Sequence, residues 1–387
     1  MNQVERDFEI IGKTFSGMEG VLESELRALG AREIFPITRG IRFRGNQELL
    51  YKVNYECRSA IRFLKPILTF RVNDENDLYQ NVKKFNWKQI FDINDTFSID
   101  SVVSSSRIKH SRYAALKMKD AIVDQFREQT GKRPSIDVDN PTIRLHLHIH
   151  QGNCTISLDS SGSSLHLRGY RLKTVLAPIN EVLAAGLIML TGWNGQSNFL
   201  DLMCGSGTFL IEAAMIAKKM PPGFFRAQFG FQKWKDYDPG LWGNIKKMAN
   251  DQVRELSITI MGSDHSDKAI RITRNNIGNA GLQKDIKLSI NSIEDSTPPE
   301  GKGMIVINPP YGERLQPDDV NELYKTIGDS FKKAYSGYEA WIISSDLSAL
   351  KFIGLRPSKK IIVFNGKLEC RFARYELYEG SKKAKKQ

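Results

Sequence analysis

The run Asn308-Pro309-Pro310-Tyr311 directly follows an apolar segment, residues 304–307, that predicts a buried strand. The exocyclic amine of a nucleobase is a weak nucleophile, because its lone pair is delocalised into the ring. Two hydrogen-bond acceptors, the Asn308 side-chain oxygen and the Pro309 carbonyl, would turn that lone pair toward a methyl donor. The two prolines fix the backbone that carries these acceptors, and Tyr311 offers a face for stacking a flipped base. These four residues are therefore the predicted catalytic residues of a base-amine methyltransferase.

A second motif reads as strand, glycine turn and helix start, with Gly205 and Gly207 in the turn. The glycines allow close approach of the backbone to a ligand, and the helix beginning near Thr208 presents unpaired N–H groups. Asp201, at the end of the strand, can attract the ammonium of a methionine moiety. Leu210 stands where a dinucleotide-binding fingerprint needs a small third residue. The motif therefore favours S-adenosylmethionine (SAM) as cofactor over a dinucleotide.

A second acidic residue, Asp264, ends the next strand-like run, and its carboxylate can accept hydrogen bonds from both ribose hydroxyls. Asp267 is the alternative for this role. The long spacing from Asp201 predicts an insertion between the two strands. No metal is expected, because the SAM sulfonium is already activated and rate enhancement comes from positioning. The cofactor-binding residues predicted from these motifs are Asp201, Cys204, Gly205, Ser206, Gly207, Thr208, Asp264, His265 and Asn308.

The elements that must position these motifs alternate between helix and short apolar strand from about residue 183 onward. That alternation predicts an α/β, Rossmann-like parallel sheet. Near the C-terminus, Asn365-Gly366 separates two strand-like runs, residues 360–364 and 369–377, which predicts a hairpin. A parallel sheet with a terminal antiparallel hairpin is typical of class I SAM-dependent methyltransferases.

The N-terminal part of the chain predicts an α+β module. Residues 8–13 have the pattern of a strand, and a helix with apolar residues at helical spacing ends near Gly30. A longer helix is predicted at about 113–129. Residues 143–149 and 155–158 alternate apolar with polar side chains on either side of turn residues, which predicts a hairpin.

The 387 residues carry a net charge of +12, which favours a polyanionic partner. No apolar run is long enough to span a membrane, and the four cysteines form no CxxC pair. A cytoplasmic protein is therefore expected, and its oligomeric state is left open.

The two motifs around Asp201 and Asn308 resemble those of the THUMP-containing N2-guanine RNA methyltransferases, especially bacterial members that act on 23S ribosomal RNA. The likeness covers nearly the whole chain. The further segments that carry it are 117–124, similar to the THUMP helix, and 165–171 and 177–181, similar to the cofactor-side segment. Some members carry a second methyltransferase domain after this one, and this sequence ends at Gln387.

The resemblance implies three units: a ferredoxin-like element at 1–45, a THUMP RNA-binding domain at 46–160 and a SAM-dependent methyltransferase domain at 161–387. It also implies that Pro178 and Ile179 lie near SAM. Asn291 and Ser292 are expected near the adenine. The implied activity is methylation of a guanine N2 in large-subunit ribosomal RNA.

Three weaker features have competing interpretations. A basic cluster, interpreted as RNA-binding rather than as a solvated face, comprises Arg107, Lys109, Arg112, Lys117 and Lys119. His146, His148 and His150 share one face of a strand, and a polar solvent face is favoured over a metal site. Cys204 is interpreted as a small packing residue rather than a nucleophile. The predicted insertion, residues 221–242, is rich in aromatic residues, of which two or three are expected to face substrate.

Two rival functions are kept. Asn-Pro-Pro-Tyr serves any planar amine, so adenine N6 in RNA or DNA is the first alternative. A non-catalytic RNA-binding or ribosome-assembly factor is the second, although the presence of Asp201, Asp264 and Asn308 speaks against it.

Overall fold

The computed structural model describes residues 7–171, 178–310 and 317–379, which form two β-sheets with helices packed on them. An eight-stranded sheet occupies the N-terminal part and a seven-stranded sheet the C-terminal part. No helix within these ranges is long and apolar enough to cross a membrane.

The first unit is built around a central strand. Its elements are β1 (Phe8–Lys13), α1 (Glu19–Ala28), β2 (Arg32–Ile37), β3 (Gly40–Gly45), α2 (Gln47–Glu56) and β4 (Arg62–Arg71). Ile11 of β1 lies opposite Arg42 of β3 and Leu64 of β4, in antiparallel pairing on both sides. This ferredoxin-like pattern therefore includes residues on both sides of the boundary expected at residue 45.

The second unit continues the same sheet. Its elements are α3 (Glu75–Lys84), β5 (Thr96–Ser104), α4 (Ser111–Thr130), β6 (Ser135–Ile136), β7 (Ile143–His150) and β8 (Asn153–Asp159). β7 and β8 form the predicted hairpin, with His150 opposite Asn153. Since β8 also pairs with β4, the strand order is β2-β3-β1-β4-β8-β7-β5-β6.

The C-terminal sheet has the predicted methyltransferase topology. Its elements are α5 (Glu181–Leu190), β9 (Asn198–Asp201), α6 (Thr208–Ala217), α7 (Pro239–Asn250), β10 (Ile260–Asp264), α8 (Asp267–Asn279), β11 (Ile286–Ile290), β12 (Gly303–Ile307), α9 (Pro317–Ala334), β13 (Glu339–Ser344), β14 (Lys359–Asn365) and β15 (Leu368–Glu376). The strand order is β11-β10-β9-β12-β13-β15-β14, and β15 is antiparallel to both neighbours. The predicted fold class and its terminal hairpin are confirmed. Chain order reverses between β9 and β12, where α/β sheets bind their ligands.

The predicted insertion lies between α6 and β10 and packs against α2 of the first unit. The Tyr51 ring of α2 stacks on Phe231 with centroids 4.2 Å apart, and its hydroxyl accepts a hydrogen bond from the Asp238 N–H at 3.1 Å. Four insertion aromatics are buried: Phe229, Phe231, Trp234 and Trp242. Phe224 is 41% exposed, and the expectation that two or three of these rings face substrate stays a prediction. This aromatic cluster joins the methyltransferase sheet to the N-terminal sheet.

Candidate active site

The carboxyl ends of β9, β10 and β12 border a cavity of about 300 Å³. Asp201 ends β9, Asp264 ends β10 and Asn308 directly follows β12. β9 pairs in parallel with both other strands, so the three side chains meet at one edge of the sheet. The predicted cofactor residues that line this cavity are Pro178, Ile179, Asp201, Cys204, Gly205, Ser206, Thr208, Asp264, His265 and Asn308.

The glycine turn has the left-handed backbone that its residues predict. Gly205 has φ 56° and Gly207 has φ 81°, a conformation that strains other residues. A Cβ on Gly207 would also lie 2.7 Å from Cγ2 of Thr273 in α8. Gly207 itself does not line the cavity, so its role is to shape the turn and to begin α6.

Leu210 explains why a dinucleotide fingerprint does not fit here. Its side chain covers Gly262 of β10 so closely that a Cβ on Gly262 would lie 2.2 Å from the Leu210 Cδ1 atom. The helix and strand approach each other through a glycine on the strand, not through a small residue on the helix.

Asp264 is fixed by backbone hydrogen bonds. Its Oδ2 accepts from the Gly205 N–H at 2.9 Å and its Oδ1 from the Ser266 N–H at 3.0 Å. A carboxylate has about four acceptor positions, so capacity remains for two ribose hydroxyls. The neighbouring His265 side chain is 85% exposed and stands at the rim.

Asp201 is a buried acid with few compensating contacts. It is 2% exposed and accepts one hydrogen bond, from the Met203 N–H at 3.2 Å. The pKa of Asp201 is raised to about 8, mainly by burial and also by the nearby Asp264, against the lowering effect of the Met203 N–H. A cation bound beside Asp201 would stabilise its charged form. The site therefore suits the ammonium or sulfonium of SAM.

The Asn308 Oδ1 atom is buried and has no hydrogen-bond partner among the described residues. A buried acceptor without a donor costs about 1–3 kcal/mol, so this atom favours a ligand that brings an N–H group. Pro309 is buried, and Pro310 lines the cavity beside Asn308. Tyr311, the fourth predicted catalytic residue, lies outside the described residues.

Cys204 lies in the wall of the cavity and is 5% exposed. Burial raises the pKa of its thiol well above the usual value, and the charges of Asp201 and Asp264 act in the same direction. The thiolate needed for nucleophilic attack is therefore disfavoured, as expected for a packing residue.

Arg171 is a site residue to which the motifs assigned no role. Its Nη2 donates to the Ile179 carbonyl oxygen at 2.9 Å and to the Thr208 Oγ1 at 2.6 Å. Its Nε lies 3.0 Å from the Glu181 Oε1. Burial raises the pKa of Glu181 to about 7, and Arg171 lowers it. The Arg171 guanidinium thus bonds two segments of the cavity wall, at Ile179 and at Thr208.

Asn291 and Ser292 are not brought into this cavity. Both follow β11, which is separated from the switch point by β10 and β9. The Ser292 hydroxyl donates to the Asp295 Oδ2 at 2.8 Å. Their expected contact with the adenine stays a prediction.

The predicted RNA-binding cluster divides into two groups. Arg107, Lys109 and Arg112 are exposed near the start of α4. Lys117 and Lys119 are half-buried, and Lys119 Nζ pairs with Asp120 Oδ1 at 3.0 Å. The first three therefore present the more accessible charges to a polyanion.

The donor set fits SAM. Asp264 has acceptor positions left for ribose hydroxyls, and a cation beside the buried Asp201 would stabilise its charged form. The amino end of α6 presents N–H groups. Within the described residues, no group of three or more histidine, cysteine or acidic side chains could hold a metal ion.

Three family models match the chain in succession. The RlmL ferredoxin-like domain matches residues 9–64, the THUMP domain matches 72–159, and the RMKL-like methyltransferase domain matches 168–374.

Relatives match along almost the whole chain. An RNA methyltransferase of Synechocystis sp. is 37% identical over 364 residues, which are 94% of this chain and 95% of that protein. The ribosomal RNA large subunit methyltransferase K/L of Syntrophotalea carbinolica is 39% identical over 94% of this chain and 53% of that protein. The chain thus spans about half the length of the K/L relatives.

Among solved structures, the methyltransferase SMU.472 in complex with SAH is 27% identical, with a TM-score of 0.87. That match covers 98% of this chain and 100% of the other. Because the methyltransferase family model covers more than half of the residues, and a 37% identical relative aligns almost end to end, the chain belongs to the RMKL-like methyltransferase family.

Proposed function

We propose that this chain transfers the methyl group of SAM to the exocyclic N2 amine of a guanine in large-subunit ribosomal RNA. The observation that carries the proposal is the buried Oδ1 of Asn308, which has no partner in the described part of the chain and lies beside a cavity lined by Asp201 and Asp264. The THUMP match and the names of the K/L relatives support an RNA substrate of the large ribosomal subunit. A cytoplasmic enzyme is the corresponding proposal for its location.

In this proposal, the residues of the chain position and polarise the amine. The Asn308 Oδ1 and the Pro309 carbonyl oxygen each accept one N–H of the target amine. Both acceptors are fixed before the reaction, because Asn308 directly follows the buried strand β12 and proline restricts the backbone. When bound, SAM supplies the electrophilic methyl group.

Asp201 and Asp264 hold the cofactor in the same proposal. Asp264 accepts the ribose hydroxyls while its backbone contacts to Gly205 and Ser266 keep the carboxylate in place. Asp201 becomes ionised when a cationic group enters, since that charge offsets the penalty of burial. The three units proposed from the sequence, 1–45, 46–160 and 161–387, then divide RNA binding from catalysis.

The test is methylation of large-subunit ribosomal RNA that lacks the modification, with labelled SAM and the purified chain. N2-methylguanosine, identified by nucleoside mass spectrometry, is the expected product. N6-methyladenosine would keep the mechanism and overturn the choice of base. SAM binding and RNA binding without any transfer would instead favour a non-catalytic assembly factor.

A further inference from the structure

One face of the N-terminal sheet is covered by helices, and the other is exposed over its upper part. Along β7, alternate residues Ile143, Leu145, Leu147 and Ile149 are buried in the core beneath the helices. The intervening His148 and His150 are exposed, and Val102, opposite His148 on β5, is 49% exposed. His146, His148 and His150, together with the residues in register beside them, form what we call the histidine face.

Two cations of the histidine face, Arg71 and Lys13, form no salt bridge among the described residues. Arg71 of β4 lies opposite Asn153 of β8, which in turn lies opposite His150. Arg71 Nη1 donates to the Gln151 carbonyl oxygen at 3.4 Å, and Lys13 Nζ donates to the Thr38 carbonyl oxygen at 3.2 Å. Neither side chain has a carboxylate within 4.0 Å among the described residues.

Two further cations on this face share carboxylates. Arg62 lies 2.8 Å from Asp159 and 3.3 Å from Asp100, and Arg144 lies 3.5 Å from the same Asp100 oxygen. Asp159 is buried, whereas the Asp100 side chain is 45% exposed and serves both arginines, so the accessible positive charge of this face comes from Arg71 and from the basic cluster beyond its upper end.

The rings of His146 and His148 favour the neutral form. The pKa of His146 is lowered to about 4, mainly by burial and also by the charges of Arg62 and His148. Burial and the Lys13 ammonium lower the pKa of His148. The rings of His148 and His150 are inclined by only 15°, with centroids 6.3 Å apart. Such rings can stack on unpaired bases, as aromatic and histidine side chains do in RNA recognition.

The upper end of the histidine face meets the predicted basic cluster. Ser104 is the last residue of β5, and its Oγ lies 3.0 Å from the His150 Nδ1. The chain then continues directly into the loop with the exposed Arg107 and Lys109.

The lower end approaches the cofactor site. Arg144 lines a cavity of about 480 Å³ together with Leu167 and Gly169. Gly169 is two residues before Arg171, which contacts the cofactor cavity wall at Thr208. From Arg144 to His150, six residues of strand span roughly 20 Å.

We propose that the histidine face binds single-stranded or looped ribosomal RNA and guides it from the basic cluster toward the active site. This inference rests on the proposed function and adds a second RNA contact surface to it. RNA is the occupant favoured by the exposed Arg71, the near-parallel rings of His148 and His150, and continuity with both the basic cluster and the catalytic domain.

The test introduces negative charge on this face and on a matched surface. His148→Glu with His150→Glu adds two negative charges at exposed strand positions. Gln252→Glu with Gln283→Glu adds the same charge at exposed positions of the catalytic domain. Filter binding measures the affinity for an undermodified large-subunit ribosomal RNA transcript, and calorimetry measures the affinity for SAM.

The histidine-face variant should lose roughly tenfold or more in RNA affinity, because the two added carboxylates repel the phosphates of the RNA. The matched variant should bind RNA like the wild type, and both should bind SAM normally. Equal RNA affinity of the histidine-face variant and the wild type would overturn the surface. If the glutamates prevent folding, His148→Asn with His150→Asn removes the stacking rings without adding charge, and unchanged affinity there would also overturn it. Wild-type RNA binding without methylation would count against the proposed activity instead.

Discussion

The guanidinium of Arg171 and the hydroxyl of Thr208 lie 2.6 Å apart and connect two segments that are 37 residues apart in the sequence. Thr208 begins α6, and Arg171 also holds the Ile179 carbonyl oxygen. Both partners line the cofactor cavity, although Arg171 itself does not. Arg171 therefore acts as a positioning residue for Ile179 and Thr208 in the cavity wall.

Replacing Arg171 with lysine should weaken SAM binding and leave RNA binding unchanged. Lysine keeps the charge but cannot bond Ile179, Glu181 and Thr208 at once, because its donors share one nitrogen. A loss of about tenfold in SAM affinity is expected from hydrogen bonds of charged groups worth roughly 1.5–3 kcal/mol each. Calorimetry with SAM makes the measurement. The control is Arg271→Lys on the exposed face of α8, and equal SAM affinity in both variants would remove Arg171 from the site.

The elements that carry the motifs could be predicted because their signals are local. The strand before Asp201 and the hairpin at Asn365-Gly366 each depend on neighbouring residues, and both were found as expected. The packing of Leu210 on Gly262 could not be predicted, since it joins two strand–helix units across the sheet. Arg171 had no assigned role for the same reason.

Contacts between the units could not be predicted from the sequence either. Tyr51 and Phe231 stack although they are 180 positions apart, and no periodicity links them. The pairing of Ile11 with Leu64 likewise depends on long-range strand order. The side chain of Ser292 turns to Asp295, a local contact that its position after β11 did not reveal. Contacts that link distant segments were therefore not predictable from local signals.

Asp201 should make the stability of the unliganded protein depend on pH. Its folded pKa of about 8 lies above the usual value of 3.8, so the folded state holds a proton that the unfolded state releases. The contribution of Asp201 to the free energy of unfolding is therefore largest below pH 4 and declines as pH rises toward 8. Asp201→Asn should remove this contribution to the decline and raise Tm at pH 8.5 by at least about 1 °C, the effect of roughly 1 kcal/mol in a chain of this size.

Thermal unfolding from pH 5 to pH 8.5 provides the measurement for Asp201. The control is Asp267→Asn, which neutralises a carboxylate that is 54% exposed on α8. A wild type and an Asp201→Asn variant that lose stability in parallel over this range would contradict the raised pKa.

Charge reversal of the exposed basic cluster should weaken RNA binding alone. In the triple variant Arg107→Glu, Lys109→Glu, Arg112→Glu, the slope of log affinity against log salt should shrink by about two, since each phosphate contact contributes roughly 0.7–0.9. The control reverses exposed lysines of the catalytic sheet, Lys284, Lys287 and Lys359. Filter binding at several salt concentrations makes the comparison. Identical slopes for the triple variant and the wild type would exclude this cluster from the interface.

Removing the Asn308 side chain should slow methyl transfer without affecting either binding step. Its buried Oδ1 has no partner among the described residues, so Asn308→Ala loses no internal hydrogen bond through that atom. The transfer step should slow by roughly a hundredfold or more, the scale for one preorganised polar contact in a transition state. Asn308→Asp keeps an acceptor oxygen and should lose less. Single-turnover methylation of undermodified ribosomal RNA with labelled SAM excludes product release from the rate, and Asn244→Ala, at an exposed position of α7, is the amide-deletion control. A transfer rate in Asn308→Ala equal to that of Asn244→Ala would refute the role of Asn308 as the acceptor for the target amine.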